Sequence, residues 1–175
     1  MSNPLDPIRE AYETLRDALK VVRRCATLPA IDEDRPFRNT GFHQVAAAAC
    51  ETRVDEAESE LDDLTVLSFY AAFEARLRDH VAQQSTLLTG ATHPDAEFGQ
   101  ALASTVRGYT EEARMARLTG LFAHAAGQPV VAQVGNIRAF RNWVAHGKTS
   151  SPPPSVPPLF AYEILTQFLR SASLI

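Results

Sequence analysis

Apolar side chains recur every three or four residues through most of this 175-residue chain, and this spacing constrains the fold more than any other feature. It is the repeat of an amphipathic α-helix, whereas a strand would alternate apolar and polar residues, and no segment does so. The helical segments run from Asp6 to about Thr27, through 42–88, through 94–127, from Pro129 to Gly147, and from about Ser155 onward. The pattern predicts an all-α bundle of about five or six helices.

The segment 42–88 leaves two possibilities open. Asp62 or Asp63 could cap a new helix, or one unbroken rod could run through the whole segment. Asp55, Glu58 and Asp62 also have the spacing of a carboxylate metal ladder. A charged, solvated helix face is the commoner meaning of such a run, and we prefer that interpretation.

Charge is unevenly distributed along the chain. The formal net charge of −4 argues against a protein that coats nucleic acid, but it leaves room for a local anion site. Residues 1–112 contain 20 acidic and 11 basic side chains, whereas 113–162 contain five basic side chains and no acidic one. The length and the 45% hydrophobic content suit a single domain over 1–175.

The helix that Pro129 opens carries a charge among its apolar residues. At about 100° per residue, one apolar arc is formed by Val130, Val134, Ile137, Phe140 and Val144. Arg141 falls inside that arc, and a guanidinium that faces a core is costly unless it is paired. Glu74 likewise lies on an apolar arc of its own segment. We therefore expect Glu74 to pair with Arg141, or else with Arg78 one helical turn along.

The same helix ends in a group of polar residues. Asn142 and His146 are four residues apart and share one helix face, on which Arg138 precedes them. Gly147 stands where a C′ glycine would end the helix.

This stretch resembles the HEPN superfamily, which comprises all-helical domains. Its ribonuclease members carry an Arg, often followed directly by Asn, and then a His after four to six intervening residues. Arg141, Asn142 and His146 match that pattern, and the Ala-His-Gly ending looks like the RiboL-PSP-type and related prokaryotic branches. The aromatic-rich helix that contains Glu74 is similar to the corresponding helix of prokaryotic HEPN proteins.

The spacing of Arg and His occurs twice elsewhere in the chain. Arg38 and His43 have it within a stretch that Thr40-Gly41 marks as a loop, and Arg117 and His124 have it across a glycine. Only the match at Arg141 combines a helix, an apolar face, an adjacent Asn and a glycine stop. We therefore choose the match at Arg141 because of its sequence context and not because of its spacing.

The resemblance implies a metal-independent endoribonuclease that acts as a toxin, a phage-defence effector or a housekeeping factor. Arg141, Asn142 and His146 would be its catalytic residues, with Glu74 in a supporting role. The residues expected to bind the RNA substrate are Arg138 and Lys148. Because one chain supplies a single motif His, the site would be composite, at the interface of a homodimer. A cognate inhibitor protein is a possible further partner.

A second interpretation is a catalytically silent HEPN-like interaction module. In that case Arg141, Asn142 and His146 would form a structural network at a dimer interface, and the negative net charge favours this alternative.

Other chemistries lack a motif. There is no glycine-rich phosphate loop, no cysteine pair at zinc spacing and no His-Glu-x-x-His, so neither a cofactor nor a metal is expected. Cys25 and Cys50 are expected to be buried thiols. Neither a signal peptide nor an apolar run of transmembrane length is present, which predicts a cytoplasmic protein without a membrane partner.

Overall fold

The computed structural model describes residues 2–27, 37–90, 99–100, 103–105, 108 and 114–175. Its bounded helices are α1 (Asp6–Thr27), α2 (Ala47–Gly90), α3 (Met115–Leu121), α4 (Ala123–Ala126), α5 (Gln128–Ala145) and α6 (Pro158–Ser171). None of the described residues forms a strand, so the all-α prediction is confirmed. Of the helix predicted over 94–127, the stretches 94–98, 101–102, 106–107 and 109–113 lie outside the described residues. In the described part of the chain, no helix combines the length and apolar content needed to cross a bilayer.

The longest element, α2, is a single helix of 44 residues, about 66 Å long at 1.5 Å per residue. The unbroken rod is therefore the correct alternative. Asp62 and Asp63, the candidate helix caps, lie inside it and contact other parts of the chain. Asp62 accepts a hydrogen bond from the Tyr12 hydroxyl at 2.8 Å, and Asp63 lies 2.6 Å from the Lys148 ammonium. Both partners are distant in sequence, so the local pattern could not reveal them.

One core joins the second half of α2 to α5 and α6. Phe73 is fully buried, and its ring meets that of Phe168 edge-on, with centroids 5.2 Å apart. The other fully buried residues of these helices include Val66, Phe69, Leu77, Ile137, Leu165 and Leu169. Leu5 and Leu174, which flank the first and last helices, are buried in the same cluster. The core thus holds α5 against the middle of the bundle.

Polar contacts attach α1 to the first half of α2. Tyr12 is the buried residue of α1, and Arg23 reaches Asp55 at 2.5 Å and Glu58 at 3.1 Å. With the bond from Tyr12 to Asp62, all three carboxylates of the charged α2 face therefore hold α1. The charged face predicted for α2 is thus an interface between two helices.

Three predicted helix boundaries are wrong. The helix predicted to begin at residue 42 begins at Ala47. The helix expected to reach Gly127 is broken at Phe122, whose N–H donates to the Thr119 carbonyl at 3.2 Å in a tighter turn. The last helix begins at Pro158 instead of following Ser155. Proline suits the first helical positions because its φ is already helical and its missing N–H is not needed there.

We expect His80, a half-buried histidine of α2, to make the stability of the protein depend on pH. Burial lowers the pKa of His80, and the charge of Arg76 adds to that effect. The unfolded chain therefore takes up this proton at a higher pH than the folded protein does. We expect the free energy of unfolding to fall as the pH drops below about 6.5, and His80→Gln to flatten that decline.

Urea melts between pH 7 and pH 5 measure this effect. The matched control is His124→Gln, because His124 is exposed. The free energy of unfolding of this variant should fall with decreasing pH as that of the wild type does. An equally steep decline in the His80→Gln protein would show that other groups cause it.

Candidate functional site

The helix that carries the motif is positioned as the sequence predicts. A glycine with φ 83°, Gly127, precedes α5, and glycine adopts this conformation without steric cost. The apolar arc faces the core: Val134, Ile137 and Phe140 are buried, and Val130 and Val144 pack at its edge. This packing sets the rotation of α5 about its axis, and with it the positions of the polar residues between the apolar ones.

The predicted stop at Gly147 is confirmed. Gly147 has φ 72°, and its N–H donates to the Val144 carbonyl at 3.0 Å. The next N–H, that of Lys148, donates to the Trp143 carbonyl at 2.9 Å. These two bonds form a Schellman motif, which needs a residue with positive φ at this point. His146 is consequently the last residue before the chain leaves the helix axis.

Arg141 is half-buried and has an unusual set of partners. Its Nη1 donates to Oδ1 of the adjacent Asn142 at 3.1 Å, and its guanidinium carbon lies 5.9 Å from the centroid of the Tyr70 ring. The Nε atom is buried and has no hydrogen-bond partner in the part of the chain that the structure describes. None of the ion pairs among the described residues includes Arg141. A cation with a free donor next to an amide can bind an anion.

Glu74 is paired with Arg78 and not with Arg141. Its Oε1 accepts from Arg78 Nε at 3.0 Å and from Arg78 Nη2 at 2.9 Å, which is the local alternative. The reason is geometric, because residues four apart on one helix are neighbours without any contact between helices. Both side chains are partly exposed, at 26% and 30%, so this pair contributes little to stability.

His146 and Arg138 are left open to ligands by the fold. The His146 side chain is exposed, and no described residue hydrogen-bonds its ring; its carbonyl accepts from the Thr149 hydroxyl at 3.3 Å. Arg138, half-buried and about one turn before Arg141, also has no carboxylate partner in the part of the chain that the structure describes. The structure thus brings Arg141 into contact with Asn142, whereas His146 stands apart at the helix end.

Lys148 is already occupied by carboxylates of α2. Its ammonium lies 2.6 Å from Asp63 and 3.0 Å from Glu60. Hydrogen bonds to Asp63 and, less strongly, to Glu60 raise the pKa of Lys148. An ammonium neutralised in this way has little charge left for a phosphate, so the fold gives Lys148 a role in joining the end of α5 to α2.

The two other Arg-His matches lie in different settings. Arg38 and His43 belong to a run of turns over 37–44, where Asn39 has φ 64°. Arg117 lies in α3 and His124 in α4, on opposite sides of the helix break. Among the three matches, only the one at Arg141 has both residues on one continuous helix and its C-cap.

No protein-family profile, curated protein or solved structure matches this chain. Within the described residues, no group of three or more His, Cys, Asp or Glu side chains is placed to hold a metal ion.

The Tyr70 hydroxyl is a buried polar group that the sequence pattern does not indicate. Tyr70 is 1% exposed, and no described residue hydrogen-bonds its hydroxyl, which costs about 1–3 kcal/mol. Burial raises the pKa of Tyr70, and the charge of Glu74 adds to this effect, while Arg138 and Arg141 oppose it. The phenol is therefore neutral and can donate. In the sequence Tyr70 is indistinguishable from the phenylalanines of the same apolar arc.

Proposed function

We propose that this protein is a metal-independent endoribonuclease of the HEPN type whose site is formed by Arg141, Asn142 and His146. One observation carries the proposal: the Arg141 guanidinium, which pairs with no carboxylate of the described chain, is held by Asn142 near the end of a helix that terminates in an exposed imidazole. Asn142, in place of Glu74, orients the guanidinium. Arg138, the next cation along the helix, is the residue proposed to bind RNA.

These groups suit cleavage by the ribose 2′-hydroxyl. A base removes the 2′-OH proton, the O2′–P bond forms, the P–O5′ bond breaks, and an acid protonates the leaving 5′-oxygen. An imidazole can perform either proton transfer, and Arg141 can stabilise the negative charge that develops on the phosphorane. The products are a 2′,3′-cyclic phosphate and a 5′-hydroxyl.

The mechanism favours a homodimer. Two proton transfers are needed, but the motif of one chain supplies a single histidine. A two-fold axis through the ends of the two α5 helices would place two motifs side by side, as isologous interfaces do. The exposure of His146 in the single chain is compatible with such an interface.

Incubation of the purified full chain with labelled RNA in excess EDTA tests the proposal. We expect cleavage, with fragments that mass spectrometry shows to end in a 2′,3′-cyclic phosphate. Light scattering at micromolar concentration should give twice the 19.2 kDa mass of the chain. Fragments that end in a 3′-hydroxyl, or cleavage that EDTA abolishes, would contradict the mechanism, and a monomer would contradict the composite site.

A catalytically silent interaction module is the second candidate. The observation that favours it is the neutralisation of Lys148 by Asp63 and Glu60, which removes one of the two cations expected to bind RNA. An intact dimer that cleaves none of a panel of structured and single-stranded RNAs would support this alternative.

A further inference from the structure

A small cavity lies between α2, α3 and α5. Its volume is about 90 Å³, and its wall includes Tyr70 from α2, Thr119 from α3, and Gly135 and Arg138 from α5. This volume holds several water molecules but is well below the roughly 150 Å³ that accepts a benzene-sized ring. A nucleobase therefore does not fit inside, whereas a small tetrahedral ion does.

Two residues of this wall, Tyr70 and Arg138, carry donor groups that lack a partner. Among the described residues, the buried Tyr70 hydroxyl has no hydrogen-bond partner and Arg138 has no carboxylate partner. Thr119 adds no donor, because its hydroxyl already donates to the Met115 and Ala116 carbonyls at 3.0 and 3.2 Å. A buried donor without an acceptor is rare in native proteins and calls for a ligand.

The charge around the cavity is positive. Arg141 lies over the Tyr70 ring, and its buried Nε has no partner among the described residues. Glu74, the acid whose charge acts on Tyr70, is paired with Arg78. Because this carboxylate is engaged, and neither Arg138 nor Arg141 has a carboxylate partner in the described part of the chain, the surroundings favour a bound anion.

Gly135 keeps the cavity open. Glycine destabilises a helix interior relative to alanine, so a glycine in the middle of α5 needs a structural explanation. Close packing is not the reason, since a Cβ atom built at Gly135 would meet nothing within 4 Å. The missing side chain instead leaves space on the side of α5 that lines the cavity.

We infer that this cavity binds a small oxyanion, either free phosphate or the phosphate group of a larger ligand. Tyr70 donates its phenolic hydrogen to an oxygen of the anion, and Arg138 supplies the compensating charge. The inference does not depend on the proposed ribonuclease activity, because it concerns binding at a cavity wall that contains neither Asn142 nor His146.

Isothermal titration of the full-length protein with inorganic phosphate at low ionic strength tests the site. We expect saturable binding of one phosphate per chain. Arg138→Gln removes the charge, and Gly135→Val fills the space. Each should weaken phosphate binding at least 10-fold. Arg170→Gln, at an exposed arginine on α6, is the matched control and should bind as the wild type does.

Tyr70→Phe gives a second test that a merely structural tyrosine would not pass. Without phosphate, the variant should melt at a higher temperature than the wild type, because it lacks an unpaired buried hydroxyl. Saturating phosphate should raise the melting temperature of the wild type more than that of Tyr70→Phe, since a ligand that binds only the folded state raises its stability. The absence of saturable binding, unchanged affinity in Gly135→Val, or an equal gain in both proteins would overturn the inference.

A competition experiment distinguishes the two sources of the anion. A short 2′-O-methyl oligoribonucleotide cannot be cleaved by 2′-OH attack, so its binding is measured separately from activity. Displacement of phosphate by this oligonucleotide would assign the cavity to a phosphate of RNA. Phosphate binding that the oligonucleotide leaves unchanged would assign it to the free ion.

Discussion

Replacement of His146 by alanine is expected to lower the rate of RNA cleavage by at least about 100-fold, the smallest contribution that a general acid or base usually makes. The free energy of unfolding should change by less than about 0.5 kcal/mol, since the side chain is exposed and no described residue bonds its ring. Single-turnover cleavage rates and urea melts of the same preparation measure the two quantities.

Two other exposed histidines provide matched controls. His43 lies in the turns over 37–44, and His124 in α4 lies 3.1 Å from the Leu121 carbonyl through its Nδ1. His43→Ala and His124→Ala should both retain cleavage. Wild-type activity in His146→Ala, or a comparable loss in either control, would remove the reason for choosing this motif.

Phe73→Ala is expected to have the largest effect on stability. The ring is 0% exposed, packs edge-on against Phe168 at 5.2 Å and lies 5.9 Å from the ring of Tyr70. Removal of a buried phenylalanine side chain costs about 3–5 kcal/mol, because it removes apolar contacts and leaves a cavity. At about 2–4 °C per kcal/mol for a chain of this size, the melting temperature should fall by about 10 °C.

Phe160→Ala is the control with the same chemistry. Phe160 lies on α6 and is 37% exposed, so its truncation leaves no closed cavity and should cost less than about 1 kcal/mol. Calorimetric melts of both variants separate burial from the loss of an aromatic ring as such. Similar costs for the two variants would contradict the placement of the core between α2 and α6.

The motif helix shows how much the sequence determines by itself. The start after Gly127, the apolar arc that contains Ile137 and the stop at Gly147 all follow from the local pattern, and the structure confirms them. Each depends on residues within one or two helical turns. Helical periodicity, proline at the first turn and a glycine with positive φ act at that range, so they can be recognised without knowledge of the fold.

The partners of charged and polar side chains were decided only by the tertiary structure. Lys148 is bound by carboxylates of α2, and the Tyr70 hydroxyl has no hydrogen-bond partner among the described residues. Asp62 could have capped a helix, but it accepts from Tyr12 within a continuous one. For Glu74 the sequence offered two arginines, and the structure pairs it with Arg78. Hydrogen bonds and ion pairs require atoms within about 3–4 Å, and such distances between helices exist only once the helices have packed.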